Sequence, residues 1–398
     1  VAADDTQRPN AHRPTVEQHA EHVRQLVGDR LRGVERVPLA AALGRATASA
    51  VLSPVDLPLF RNSQMDGFAV RAADAPGRLP IVAEVPAGPG SPDALIAGTA
   101  VRIMTGAVVP EGADAVVPVE HTTETDGMVA IDGATEVGTY VRDRGSDLHA
   151  GDPILDAGTV LGSRHIAALA AAGIRELDVR SRPRVALITT GAELADDPTL
   201  PGQIHDANLP ALVAAVTVAG GLVHSAQRVT DDVAAMLAAL EATVGADIVV
   251  TSGGISQGDY EVVREALEPR GARVTTIAMQ PGGPQATALV GGVPVLCFPG
   301  NPVSTQVSFE VFLAPLLREA AGLPPARREV RTLAHGIPST AGKRRFLRGR
   351  FVGQTHVELA SGPGSHLVAG LAAADCLLDI PAEVEDLEVG ASVETLTL

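Results

Sequence analysis

At 398 residues the chain exceeds what one ordinary hydrophobic core organises, and about two to four domains are expected. Its 45% hydrophobic and 20% charged residues are those of a soluble globular protein, and no apolar run approaches the roughly 20 residues that would cross a bilayer. Forty-seven acidic against 31 basic residues leave a net charge of -16, which argues against binding nucleic acid or anionic membrane and requires any anionic ligand to be captured locally.

Aromatic residues make up 2% and tryptophan is absent, which excludes a base-stacking surface of the single-strand binding kind. Cys297 and Cys376 lie in apolar runs without metal-like spacing and read as buried thiols. The N-terminus lacks the basic-then-apolar order of a signal peptide, so a cytoplasmic location is the expectation.

Residues 1–13 are polar and aperiodic, as in a disordered tail. Thr15 and Gln18 then form a capping-box pattern ahead of a helix whose apolar stripe is Val16, Val23, Leu26 and Val27. His19 and His22 share that helix at a spacing compatible with a metal pair. Without a carboxylate or cysteine nearby they read as coincidental histidines on a solvated face. From Leu52 to about Tyr140 short β-like runs are broken by Pro and Gly, and Asp126-Gly127 between two alternating runs marks a hairpin. A helix over His165–Ala172, ended by Gly173, follows. The pattern suggests a β-rich domain, 52–142, inserted into a discontinuous linking domain, 14–51 and 143–182.

Beyond Pro183 strands alternate with helices. Strands are expected at Val185–Thr189, Leu222–Val229, Asp247–Thr251, Arg273–Ala278 and Pro294–Phe298. Helices are expected at Leu209–Ala219, Asp231–Val244, Asp259–Leu267 and Val303–Ala321. This order predicts a mainly parallel, three-layer α/β domain over 183–327, covered on both faces. Pro324-Pro325 closes it, and residues 328–398 read as a second small β domain. The fold class is therefore α/β plus two β-rich subdomains in a multidomain chain.

The sharpest features of the α/β domain fall where strands end. Thr190-Gly-Ala-Glu193, Ser252-Gly253-Gly254 and Pro299-Gly300-Asn301-Pro302 each follow a strand, and three such loops are expected to converge on one rim. Glycines there let a ligand approach the backbone, whose N–H groups hold phosphate without a side-chain charge. The loops match neither the Walker pattern nor GxGxxG, so nucleotide hydrolysis of the P-loop type is not expected. Glu193, Asp206 and Asp259 accompany the glycines. Acids beside phosphates suit Mg²⁺, with Asp206 and Asp259 as metal ligands, although both are also placed to cap helices. His205 beside Asp206 reads as a structural histidine rather than an acid/base.

Together Ser63-Gln-Met-Asp-Gly-Phe-Ala69, Arg102-Ile-Met-Thr-Gly-Ala107 with Pro110-Glu-Gly-Ala-Asp114, Thr251-Ser-Gly-Gly, Gln280-Pro-Gly, Pro299-Gly-Asn-Pro-Val-Ser304 and Gly364-Ser-His366 resemble the molybdopterin molybdenumtransferases, the MoeA and gephyrin E-domain type. The likeness runs from about residue 15 to the end. It implies an elongated homodimer, with 14–51 and 143–182 as the linking and dimerisation domain. It also implies insertion of molybdate into adenylylated molybdopterin with Mg²⁺, releasing AMP and mature cofactor. The resemblance places Asp66, Thr105, Glu193 and Asp259 in the catalytic site, with Asp206 and Asp259 toward the metal. Ser252, Gly253, Gly254, Pro299, Gly300, Asn301, Arg348 and Ser365 would bind the cofactor or its anions. For Arg348, in the basic stretch from Lys343 to Arg350, a solvated surface arginine is the alternative. Molybdopterin adenylyltransferase and molybdoenzyme apoproteins are the implied partners.

Two departures stand out. The family usually has lysine where this chain has Gly283, and often where it has Gln280, and Ala192 stands where an acidic or polar residue is common. The missing cation leaves open a weakened paralogue that binds, carries or scaffolds the cofactor. A third reading is an adenylyltransferase acting one step earlier.

Overall fold

A computed structural model of the chain describes residues 13–255, 261–339 and 341–398. The expected tail up to residue 12 and Asp259 lie outside the described residues. Two compact units are present, one formed by Arg36–Val179 and the other by the residues up to Glu35 together with Arg180–Leu398.

In the larger unit, a six-stranded sheet runs in the order Leu222–Val229, Arg184–Thr190, Ile248–Ser252, Val293–Phe298, Pro284–Val290, Arg273–Thr276. The first four strands are parallel, and Pro284–Val290 pairs antiparallel with both Val293–Phe298 and Arg273–Thr276. Alternation along each parallel strand divides the core. Val185, Leu187, Ile248, Val250, Leu296 and Phe298 face the helices Val16–Val27, Asn208–Val218 and Ala314–Ala321. Ala186, Ile188, Val249, Val295 and Cys297 face Val233–Glu241 and Val262–Leu267. The sheet is thus the middle of three layers, as the alternating pattern requires. Strand Pro284–Val290 was not among the expected elements, because its Gly-Pro start reads as a loop.

The N-terminal helix has the expected capping box, with Thr15 Oγ1 accepting from Gln18 N–H at 3.2 Å and Gln18 Oε1 accepting from Thr15 N–H at 2.9 Å. Its histidines differ from the solvated pair expected. His19 is buried and meets Phe312 edge-on with centroids 4.8 Å apart, while His22 Nε2 lies 2.9 Å from Thr287 Oγ1. At the C-terminus, strands Arg344–Val352, His356–Leu359, Arg328–Leu333, Ser392–Thr397 and Cys376–Ile380 close into a small barrel, because the first also pairs with the last. Both thiols are buried, and burial pushes each up to about 12.

The smaller unit holds a six-stranded sheet in the order Ala115–Pro118, Gly67–Val70, Ala100–Ile103, Gly77–Val85, Met128–Ile131, Thr122–Thr125. Asp126 and Gly127 both have positive φ, 50° and 73°, which matches the right-handed twist of the hairpin they join. A separate cluster of Val37, Ala42, Leu155, Leu161, Leu169, Leu177 and Val179 packs the segments flanking that sheet in the sequence.

Burial, with the positive charges of His22 and Arg273, holds His19 down to about 4, against 6.5 when unfolded. Between those values the unfolded chain binds the extra proton, so stability falls as pH falls through this window. Urea unfolding at pH 7 and pH 4.5 is expected to show a loss of up to about 3 kcal/mol that His19→Leu removes. An unchanged loss in the variant would assign it elsewhere.

Candidate active site at the strand ends

The parallel register places Thr189, Ser252 and Phe298 in one row across the sheet. The three loops that follow therefore leave the sheet side by side, as the sequence predicts. They are closely packed. Gly253 has φ +99°, and a Cβ there would lie 2.3 Å from the Thr190 carbonyl oxygen. A Cβ on Gly300 would lie 3.2 Å from Gly253 Cα. Only glycine lets the Gly253 backbone approach so far, while at Gly300 a side chain would require its neighbour to shift by a few tenths of an ångström.

Asn208, the first residue of its helix, ties the loops together from behind. Its buried Nδ2 donates to Ser252 Oγ at 2.9 Å and to the Gly300 carbonyl at 2.7 Å. Ser252 is itself buried, with its hydroxyl 3.1 Å from Thr305 Oγ1 and 3.3 Å from the Pro299 carbonyl. Its side chain braces the rim from within.

The loops enclose a cleft of about 460 Å³. Glu193, Asp206, Asp231 and Glu261 line it, and among the described lining residues there is no lysine or arginine. Asp206 caps the helix Asn208–Val218. Its Oδ1 accepts from the N–H groups of Asn208 and Leu209 at 2.9 and 3.1 Å, and its Oδ2 from Thr189 Oγ1 at 2.6 Å. Asp231 accepts the Ala192 N–H at 2.7 Å and the Thr190 hydroxyl. Sequence reasoning placed Asp231 only as the start of a helix. Its place two residues past the strand Leu222–Val229, the edge strand of the parallel set, is the signal that identifies it. The side-chain oxygens of Asn208 and Asn301 are buried without a donor. Glu193, Asp206, Gly253, Gly254, Pro299, Gly300 and Asn301 are thus brought to one cleft, with Ser252 behind it and Asp259 outside the described residues.

Asp66 and Thr105, in the smaller unit, are also brought together. Asp66 Oδ1 accepts both the N–H and the hydroxyl of Thr105, at 2.7 and 2.8 Å, which holds the carboxyl below the usual carboxylate range. In the barrel, Arg348 is 1% exposed, so it is not a solvated arginine. Nε donates to Ser361 Oγ at 2.9 Å, Nη2 to the Gly362 and Gly364 carbonyls, and buried Nη1 has no acceptor. It shapes the loop that carries Ser365, which is half-buried. The basic stretch around it forms no single patch, because Arg344 is paired with Asp379 and Glu17 and Arg350 with Glu358.

Gly253→Ala is expected to cost more than about 2 kcal/mol, because it meets both backbone strain and the Thr190 carbonyl. Gly271→Ala, at φ +83° but with nothing within 4 Å, is expected to cost about 1 kcal/mol. Equal shifts in their denaturation midpoints would contradict the close approach.

Three family models match the chain: "MoeA N-terminal region (domain I and II)" over residues 14–173, "Probable molybdopterin binding domain" over 186–319, and "MoeA C-terminal region (domain IV)" over 331–398. Molybdopterin molybdenumtransferase 2 of Mycobacterium tuberculosis is 42% identical over 382 residues, covering 91% of this chain and 94% of its own length. Molybdopterin molybdenumtransferase of Nostoc is 39% identical over 327 residues, covering 78% and 75%. The solved molybdopterin biosynthesis MoeA protein from Pyrococcus horikosii superposes with a TM-score of 0.83 at 32% identity, over 96% of this chain and 98% of that one. With three adjoining family regions, a relative this similar over nearly its whole length, and the same multidomain fold, the chain belongs to the MoeA family of molybdopterin molybdenumtransferases.

Proposed function

We propose that this chain inserts molybdate into adenylylated molybdopterin in an Mg²⁺-dependent step, releasing AMP and mature molybdenum cofactor. The observation that carries this reading is the strand-end cleft, in which the backbone approach leaves no room for a side chain at Gly253 and little at Gly300. Such a surface suits a phosphate or pyrophosphate held by N–H groups. The orphaned amide oxygens of Asn208 and Asn301 suit the N–H donors of a pterin.

The donor set fits a hard cation, since the cleft offers carboxylates and no thiol. Among the described residues no group of three or more His, Cys, Asp or Glu side chains is arranged to hold a metal by itself. That suits an ion shared between one or two carboxylates and the substrate's phosphates, with Asp206 and, on the resemblance, Asp259 as its protein ligands. When bound, Mg²⁺ would polarise the phosphate being cleaved. Asp231 would brace the site by holding the Thr190–Ala192 loop, and Glu193 lines the same cleft. Asp66, kept ionised by Thr105, is a fixed acceptor within the smaller unit. Arg348 orients the loop bearing Ser365, where a hydroxyl suits tetrahedral molybdate.

On this reading the protein acts as a cytoplasmic homodimer, receives its substrate from molybdopterin adenylyltransferase and passes product to molybdoenzyme apoproteins. Support for these partners is the family resemblance. No helix among the described residues is long and apolar enough to cross a membrane.

Purified protein given adenylylated molybdopterin, molybdate and Mg²⁺ is expected to release AMP and reconstitute a molybdenum-dependent apoenzyme, and chelation is expected to stop both. Absence of AMP release under those conditions would overturn the reading. At Gly283 a Cβ would meet only ordinary contacts, 3.4 Å or longer, and the neighbouring Pro284 lines the cleft. Gly283→Lys is therefore expected to fold and to raise kcat/KM about tenfold through a charge-assisted contact. No change in kcat/KM would show that this chain meets the anion without a cation at that point.

A further inference from the structure

The helix that begins at the cleft rim is irregular in its middle. Pro302–Ser308 and Ala314–Ala321 are α-helical, and Phe309–Leu313 between them is a π turn. Such turns accommodate an extra residue and recur at functional sites. Glu310 lies in this turn, half-buried, and burial pushes its carboxyl up from the ordinary value against the opposing charge of Arg318. Both residues line a cavity of about 370 Å³ that shares no residue with the strand-end cleft.

The cavity's other walls include Ala314, Leu323, Pro325, Ala326 and Leu396. Its charged groups differ in how they are satisfied. Arg24 is paired with Glu319 at 2.7 Å, and Arg328 is held by Asp379 at 2.9 Å and Glu394 at 2.6 Å. Arg318 has no carboxylate within ion-pair distance among the described residues. Its Nη1 reaches the Pro324 carbonyl only at 3.4 Å, and its Nε is buried without an acceptor. A guanidinium in that state costs free energy until an acceptor arrives.

We propose that this cavity binds a small monocarboxylate with an aliphatic body, its carboxylate on Arg318 and its hydrocarbon against Leu323, Ala326 and Leu396. The planar fork of a guanidinium matches a carboxylate in shape and in charge. Burial, which disfavours charge on Glu310, lessens its repulsion of such a ligand. A phosphate dianion carries more charge than one unpaired cation balances. An amine would leave Arg318 as it is. The volume lies in the range of small-molecule sites.

The test is calorimetric titration of the full chain with 4-methylpentanoate and, separately, with its neutral amide. Saturable binding of the carboxylate with a Kd on the order of 1 mM is expected, with the amide about tenfold weaker. Arg318→Met is expected to weaken the carboxylate about tenfold and leave the amide unchanged. No saturation by about 20 mM, equal binding of acid and amide, or an unaffected Arg318→Met overturns the proposal. Should Arg318→Met fail to fold, Ala326→Phe, which fills the cavity, takes its place. Binding of the acid to that variant as to the wild type also overturns it. The readout is independent of molybdenum transfer.

Discussion

A parallel ladder delivers its strand ends to one edge, and in this chain a single buried amide fixes what emerges there. Asn208 reaches both the strand-end hydroxyl of Ser252 and the carbonyl of Gly300, so the second and third loops share one anchor at the head of a helix that packs on the sheet. That helix is capped by Asp206, which is in turn held by Thr189 at the end of the first strand. The rim is therefore referenced to the sheet through hydrogen bonds that are largely or partly buried. Burial makes those bonds costly to break, because an abandoned amide or carboxylate has no water to turn to.

Much of this was legible in the sequence because it depends on local rules. Glycine clusters after β-branched runs located the rim, and the alternation of elements located the sheet that presents it. The capping box at Thr15 and the Asp126-Gly127 hairpin stand where their spacing puts them. What escaped depends on long-range packing. His19 lies on a helix with an ordinary polar pattern, and only the arrival of Phe312 from the far end of the unit makes its position interior. Arg348 sits in a run of cations that looks solvated, yet the partners met along the strand differ, Asp379 for Arg344 and the carbonyls of Gly362 and Gly364 for Arg348. The π turn at Phe309–Leu313 left no trace either, since its residues are good helix formers or core formers and nothing in them breaks the period.

Charge is distributed with similar economy of position. Asp379 is 1% exposed and receives Arg344 through two contacts of 2.6 Å, with Arg328 at 2.9 Å. Arg344 continues to Glu17 on the N-terminal helix, so one buried carboxylate joins the barrel to that helix. The cations of the barrel are spent on structure, and the strand-end cleft is left acidic. Among its described lining residues that cleft has four carboxylates and no lysine or arginine, so its glycines matter for the close backbone approach they permit.

The chain's two cysteines are both fully enclosed, Cys297 in the central strand layer and Cys376 in the barrel. Their thiols stay protonated at neutral pH and out of reach of reagents. The native protein is therefore already a silent background for thiol chemistry. One engineered cysteine on an exposed position of each unit would carry a spin label or fluorophore without competition, and the distance between units could be followed in solution without first removing any native residue.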